Sequence, residues 1–189
     1  MEQTTLKKMR IKQIAASNLI TGIMIVIFFI LIQISEIRFT HFFFCLGILM
    51  LLQSIFGFIK KGSTKSFIPL FEQVAIYEKT KLGKEWEKEQ RTENIWKLIL
   101  SGLMFFQAFS FQNVTNPFFD IEPIFLIFLL VIALALINVS MLFRFRKIDR
   151  STEEHELKGY TKESNMMAIA LGFLTVIVIF FFIIIFVLP

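Results

Sequence analysis

At 189 residues the chain is long enough for one domain, but 56% hydrophobic composition and a mean hydropathy of +0.69 exclude an ordinary water-soluble globule. Its net charge of +5 does not point to nucleic acid. The Lys and Arg residues gather at the ends of apolar runs, where an anionic leaflet attracts them. One cysteine and two histidines offer no internal disulfide and no metal-ligand set.

Residues 1–13 are basic, with Lys7, Lys8, Arg10 and Lys12. The apolar run 14–34 follows. A hydrocarbon core of about 30 Å takes roughly 17–25 helical residues. A helix also satisfies its own backbone in lipid. This run is therefore the first of five expected spans. It is too long for a signal-peptide core, and Ser35-Glu36-Ile37-Arg38 offers no small-x-small cleavage pattern, so it should be retained. Within it Asn18 and Gly22 form a small, polar face.

A short loop with Arg38 and His41 leads to the second span, 42–59. It holds Cys45, read as a packed or lipid-facing side chain, a small face of Gly47 with Ser54, and the deep amide Gln53.

The longest polar stretch is 60–94. At helical period Phe67, Leu70, Phe71, Val74 and Tyr77 share one face, with Glu78 and Lys81 intruding on it and Ile76 opposite. The pattern predicts an amphipathic helix lying in the headgroup layer. Ser66 is its expected cap, Pro69 fits its first turn and Gly83 should end it. A second, charge-dense helical piece from Lys84 to about Asn94 should project from the third span or run into it. Trp86 and Trp96 are candidate interfacial anchors. This stretch reads either as a solvated link between spans or as a docking surface for a cytoplasmic partner.

The third span, 95–111, is the least apolar, with Lys97, Gln107 and Gln112 near its ends. The loop 112–123 carries Asp120 and Glu122, no cation, and an Asn113-Val114-Thr115 sequon. The fourth span, 124–143, contains the second deep amide, Asn138. Residues 144–165 are basic again, and Ser151-Thr152-Glu153-Glu154 fits a capping box opening a short helix that Gly159 breaks. The last span is 166–188, where Ala168 and Gly172 fit the small-xxx-small pattern.

The fold expected is thus all-α: a polytopic membrane protein with five transmembrane helices and an amphipathic cytoplasmic helix between spans 2 and 3. All but one of the 20 Lys and Arg residues fall in 1–13, 60–97 and 144–163. With five spans these segments lie on one side. By the positive-inside rule the N-terminus is cytoplasmic and the C-terminus outside. The excess of Phe, Ile and Lys over Ala, Gly and Arg suggests an AT-rich genome, which fits a bacterial cell (inner) membrane.

No ionisable residue is expected deep in the bilayer, which argues against a proton-coupled pump. Gln53, Gln107 and Asn138 remain as candidate packing or pore residues; amides in lipid usually bond across helices. Gly22, Gly102 and Gly172 echo one another early in the three outgoing spans, as chance or as a repeat, and would allow close packing or self-association. His41 and His155 fall on opposite sides of the membrane. Glu153, Glu154, His155 and Lys158 match no catalytic spacing, and there is no His-Glu-x-x-His, no Gly-x-Ser-x-Gly and no phosphate loop. The expected function is non-enzymatic and without a cofactor. The partners are the lipid bilayer and a membrane or cytoplasmic protein met through 60–94 and 144–165. The protein would act as an accessory, regulatory or immunity-type subunit. The alternative is a small homo-oligomeric transporter or channel.

Overall fold

A computed structural model describes residues 3–35, 38–60, 62–113, 123–151 and 153–186. Thr115 of the sequon, the acidic loop 114–122, Thr152 of the capping box and residues 187–189 lie outside the described residues. The described chain is all-helical: α1 (Gln3–Ser35), α2 (Phe39–Lys60), α3 (Pro69–Leu82), α4 (Lys84–Ser110), α5 (Pro123–Arg150), a 3-10 turn (Glu154–Leu157) and α6 (Tyr160–Phe186).

Four helical stretches are long and apolar enough to cross a membrane: Gln3–Leu31, Phe39–Lys60, Ile127–Arg150 and His155–Phe182. The expected third span, 95–111, belongs to α4, which is not among them. Helix α4 runs unbroken through the charge-dense piece into the apolar one. Beyond Lys97 it has only residues 98–110, about 20 Å of helix against a hydrocarbon core of about 30 Å.

The pairs α2 with α4, α1 with α5 and α5 with α6 run antiparallel. Along α2 and α4, Ser54 Oγ donates to the Asn94 carbonyl (2.9 Å), Ser101 Oγ to the Gly47 carbonyl (2.9 Å) and Thr40 Oγ1 to the Phe111 carbonyl (2.9 Å). These contacts track α4 beside the whole of α2. Along α1 and α5, Asn18 and Asn138 exchange amide hydrogen bonds of 3.1 and 3.0 Å. Phe128 and Phe182 stack at 3.7 Å between α5 and α6.

Most large apolar side chains in the four stretches are exposed on the bundle surface, as lipid-facing residues are. The buried core lies instead at the basic end. There Leu82, Trp86, Ile148, Leu157 and Tyr160 pack together, with Ala75 and Tyr77 against them. That end forms a polar cap on the bundle.

Local signals act there with two changes. Gly83 closes α3 at φ +52°, a left-handed conformation open to glycine, and donates to the Lys79 carbonyl. Ser66 does not cap α3: Ile68 holds the N-cap position without a side-chain bond, and Ser66 Oγ accepts from Ile68 N–H at 3.4 Å. Ser151 bonds back to the Lys147 carbonyl at 2.7 Å, and the piece after it is a 3-10 turn, not a capped α-helix. Gly159, at φ +84°, separates that turn from α6.

Two glycines mark close approach. A Cβ on Gly47 would stand 2.9 Å from the Phe105 ring, and one on Gly57 would stand 2.0 Å from Asn94 Oδ1. A Cβ on Gly22, Gly102 or Gly172 would meet nothing within 4 Å. Gly57→Ala should therefore destabilise the protein by about 1–3 kcal/mol, read by unfolding in mixed micelles. Gly22→Ala should be neutral, and Gly57→Ala with Asn94→Ala should recover part of the loss. Equal effects at Gly57 and Gly22 would refute this packing.

Candidate functional site: a buried ion cluster in the polar cap

Glu78 sits at the centre of the cap, with its side chain 3% exposed. It lies one turn after Val74 and one before Leu82, and all three are buried. Its Oε1 accepts from Arg10 Nη1 of α1 at 2.6 Å. Its Oε2 accepts from Arg144 of α5, Nε at 2.9 Å and Nη2 at 2.7 Å. One carboxylate from α3 thus joins two guanidiniums from two other helices.

Each guanidinium holds a second carboxylate. Arg10 makes a two-pronged contact with Asp149, at 3.0 and 2.7 Å, and donates to Gln13 Oε1 at 2.9 Å. Arg144 does the same with Glu89 of α4, Nη2 to Oε2 at 3.0 Å alongside a second contact from Nη1 to Oε1. Forked pairing of this kind suits arginine and not lysine. Aromatic rings close the faces: Arg10 lies 4.2 Å from the Phe145 centroid and 5.4 Å from that of Tyr77, and Arg144 is 5.9 Å from that of Tyr160.

Two guanidiniums face three carboxylates. Burial pushes the Glu89 carboxyl up, and Arg144 pulls it the other way. Burial also raises the Tyr77 hydroxyl.

A second polar junction ties α4 to α6. Glu85 Oε1 accepts from Lys88 Nζ at 2.7 Å. Its Oε2 accepts from the Thr161 hydroxyl (2.8 Å) and backbone N–H (3.1 Å). The carboxylate thereby satisfies an otherwise orphan donor in the first turn of α6. Lys88, and then Thr161, hold the Glu85 carboxyl down to about 2. Lys81 Nζ donates to the Ser151 carbonyl at 2.8 Å, which fixes the end of α5.

The residues singled out from sequence fall in several places. Val74 is buried, Leu70, Phe71 and Tyr77 are half-buried and Phe67 is fully exposed, so part of the apolar face of α3 turns into the cap. Trp86 also turns inward: it is 5% exposed, and its indole N–H is the one buried side-chain polar group without a partner among the described residues. Trp96 is exposed. Gln53 and Gln107 are exposed on α2 and α4, while Asn138 is engaged by Asn18. The structure does not bring these three amides together. Cys45 is exposed. His155 is exposed beside Glu153 at 3.1 Å, and no group of three metal-ligating side chains occurs among the described residues.

Sequence reading missed the cluster, although its signal was present. Glu78 and Lys81 interrupt the apolar face of α3, and both turn out to be bonded to other helices. A charged residue on a face meant for burial asks for a partner.

Glu78→Gln should cost about 3–5 kcal/mol, because it leaves buried guanidiniums short of charge. Glu163→Gln, which breaks the exposed 2.8 Å pair with Lys147, should cost less than about 1 kcal/mol. Unfolding in mixed micelles measures both, and equal losses would refute the buried role of Glu78. Compared with family models, curated proteins and solved structures, the chain matches none, so its functional reading rests on this cap.

Proposed function

We propose that this is a non-enzymatic, five-span protein of a bacterial cell membrane that acts through partner proteins, as an accessory, regulatory or immunity-type subunit. The polar cap and the N-terminus lie in the cytoplasm, and the C-terminus lies outside.

The observation that carries the reading is the ion cluster. A solvated link between spans has no need of Glu78 bridging Arg10 and Arg144, or of Glu89 and Asp149 completing the set. Burying such charges is costly unless every one is paired, and the arrangement that pairs them all is a single one. The cap is thereby preorganised, which lowers the ordering cost of binding a partner. Its exterior includes Gln73, Ile76 and Lys79, exposed on the outer face of α3.

The fifth span is α4. Its hydrogen bonds follow α2 from Asn94 to Phe111, so it extends as deep as its neighbour does. Its hydroxyls within that length are satisfied against α2 or along its own axis: Ser101 bonds Gly47, and Ser110 bonds the Phe106 carbonyl. Packing against α2 makes up for an apolar stretch too short to stand alone in lipid. The alternating course of α1, α2, α4, α5 and α6 then puts all basic segments on one side. The alternative of a channel would have to gather Gln53 and Gln107 between copies of the chain, since they face outward in one.

Topology is read with reporters active on one side only. A reporter fused after Asn113 or Pro189 should report outside, and one fused after Ser63 should report cytoplasm. A cytoplasmic signal after Asn113 would remove α4 from the spans.

Partner binding is read by photo-crosslinking from position 76 in cells. A distinct adduct should form and should disappear with Gln73→Arg, while Glu163→Gln should leave it in place. Adducts to the protein itself alone would overturn the partner reading.

A further inference from the structure

The boundary between cap and bundle contains a cleft of about 590 Å³ between α4 and α6. Its upper rim carries Lys88, Arg91 and Lys162 together with the carboxylate Glu85, and its lower wall is Ile95, Met166 and Ile169. Both helices change character at the same level. On the side of α4 that lines the cleft Lys88, Arg91 and Thr92 give way to Ile95, and on that of α6 Lys162 and Asn165 give way to Met166 and Ile169. The cleft therefore straddles the transition from polar to apolar on both walls at once. A cavity cationic at one end and apolar at the other has the profile of an amphiphile with an anionic head.

Two of the three rim cations are available. Lys88 is engaged with Glu85, whose other oxygen is taken by Thr161. Arg91 and Lys162 are in no ion pair among the described residues. Lys162 also stands in the first turn of α6, where the helix dipole disfavours a cation and Glu163 is the better-placed charge. Its charge is thus not spent on stabilising its own helix. The two cations reach the cleft from different helices, so an anion there would be held from both sides.

We propose that this cleft binds an anionic phospholipid, its phosphate between Arg91 and Lys162 and an acyl chain along Ile95, Met166 and Ile169. A basic pocket between helices at the cytoplasmic surface is suited to such a headgroup. Free phosphate would satisfy the rim but leave the apolar wall unused. The site rests on the proposed entry of α4 into the bilayer.

The protein is purified in detergent and titrated with phosphatidylglycerol, phosphatidylcholine or inorganic phosphate, and lipid adducts are counted by native mass spectrometry. The natural protein should retain phosphatidylglycerol in preference to phosphatidylcholine. Arg91→Gln with Lys162→Gln should weaken that preference about tenfold or more. Lys8→Gln with Lys65→Gln removes equal charge elsewhere and should leave the preference intact. Equal loss in both double variants, no headgroup preference, or displacement by inorganic phosphate alone would each overturn the proposal. Intact folding of the variants is read from their unfolding midpoint, since neither Arg91 nor Lys162 bonds another helix among the described residues. Should the reporter after Asn113 read outside while the lipid preference is absent, the lipid site alone fails. A cytoplasmic reading there removes the five-span premise instead.

Discussion

One carboxylate shared by two arginines holds the polar end of this protein in a single arrangement. Glu78 comes from the short helix α3, Arg10 from the head of α1 and Arg144 from the tail of α5. A charge buried to this extent is tolerable only with its partners in place. Three elements far apart in the chain must therefore meet before any of them is stable there. Asp149 and Glu89 extend the condition within α5 and to α4. The aromatic side chains of Tyr77, Phe145 and Tyr160 then cover the guanidinium faces, so the apolar core of the cap and its charge cluster are one packed unit.

The long apolar helices invert the usual distribution of a globular fold. Along the spans, apolar bulk faces outward, because lipid is as good a solvent for it as protein is. Helices there are joined by small contacts: the reciprocal amides of Asn18 and Asn138, hydroxyls of Ser54 and Ser101 on backbone carbonyls, and backbone approaches at Gly47 and Gly57. At the cap, water is the solvent, and burial of Leu82, Trp86, Ile148 and Leu157 is favourable in the ordinary way. The two solvents leave two kinds of packing in one chain.

Much of this was legible in the residues. Long apolar runs gave helices in their places, since a helix satisfies its own backbone in lipid one segment at a time. The break at Gly83 followed from local propensity, which left open whether the charged piece after Lys84 projects from the third span or runs into it, as it does in α4. Trp86 shows where such reading fails. Beside charged neighbours it resembles an anchor at the membrane surface, yet it is enclosed by Tyr160 and Ile148 from later segments. Gly22, Gly102 and Gly172 show the same limit from the other side. They carry the small-residue pattern, while close contact within the chain falls at Gly47 and Gly57, because only the register of α2 against α4 selects which glycine is met.

Composition and the order of apolar runs determined by themselves that the chain is helical, that it belongs to a membrane and that its cations cluster beside the apolar runs. These follow from properties of each segment alone: length, apolarity and charge at the ends. The pairing of Glu78 with Arg10 and Arg144, the inward turn of Trp86 and the register of α4 beside α2 came only with the assembled helices. Each depends on which surfaces meet across 40 or more residues of chain. A side chain's partner at that range is set by the packing of whole helices and not by its neighbours in sequence.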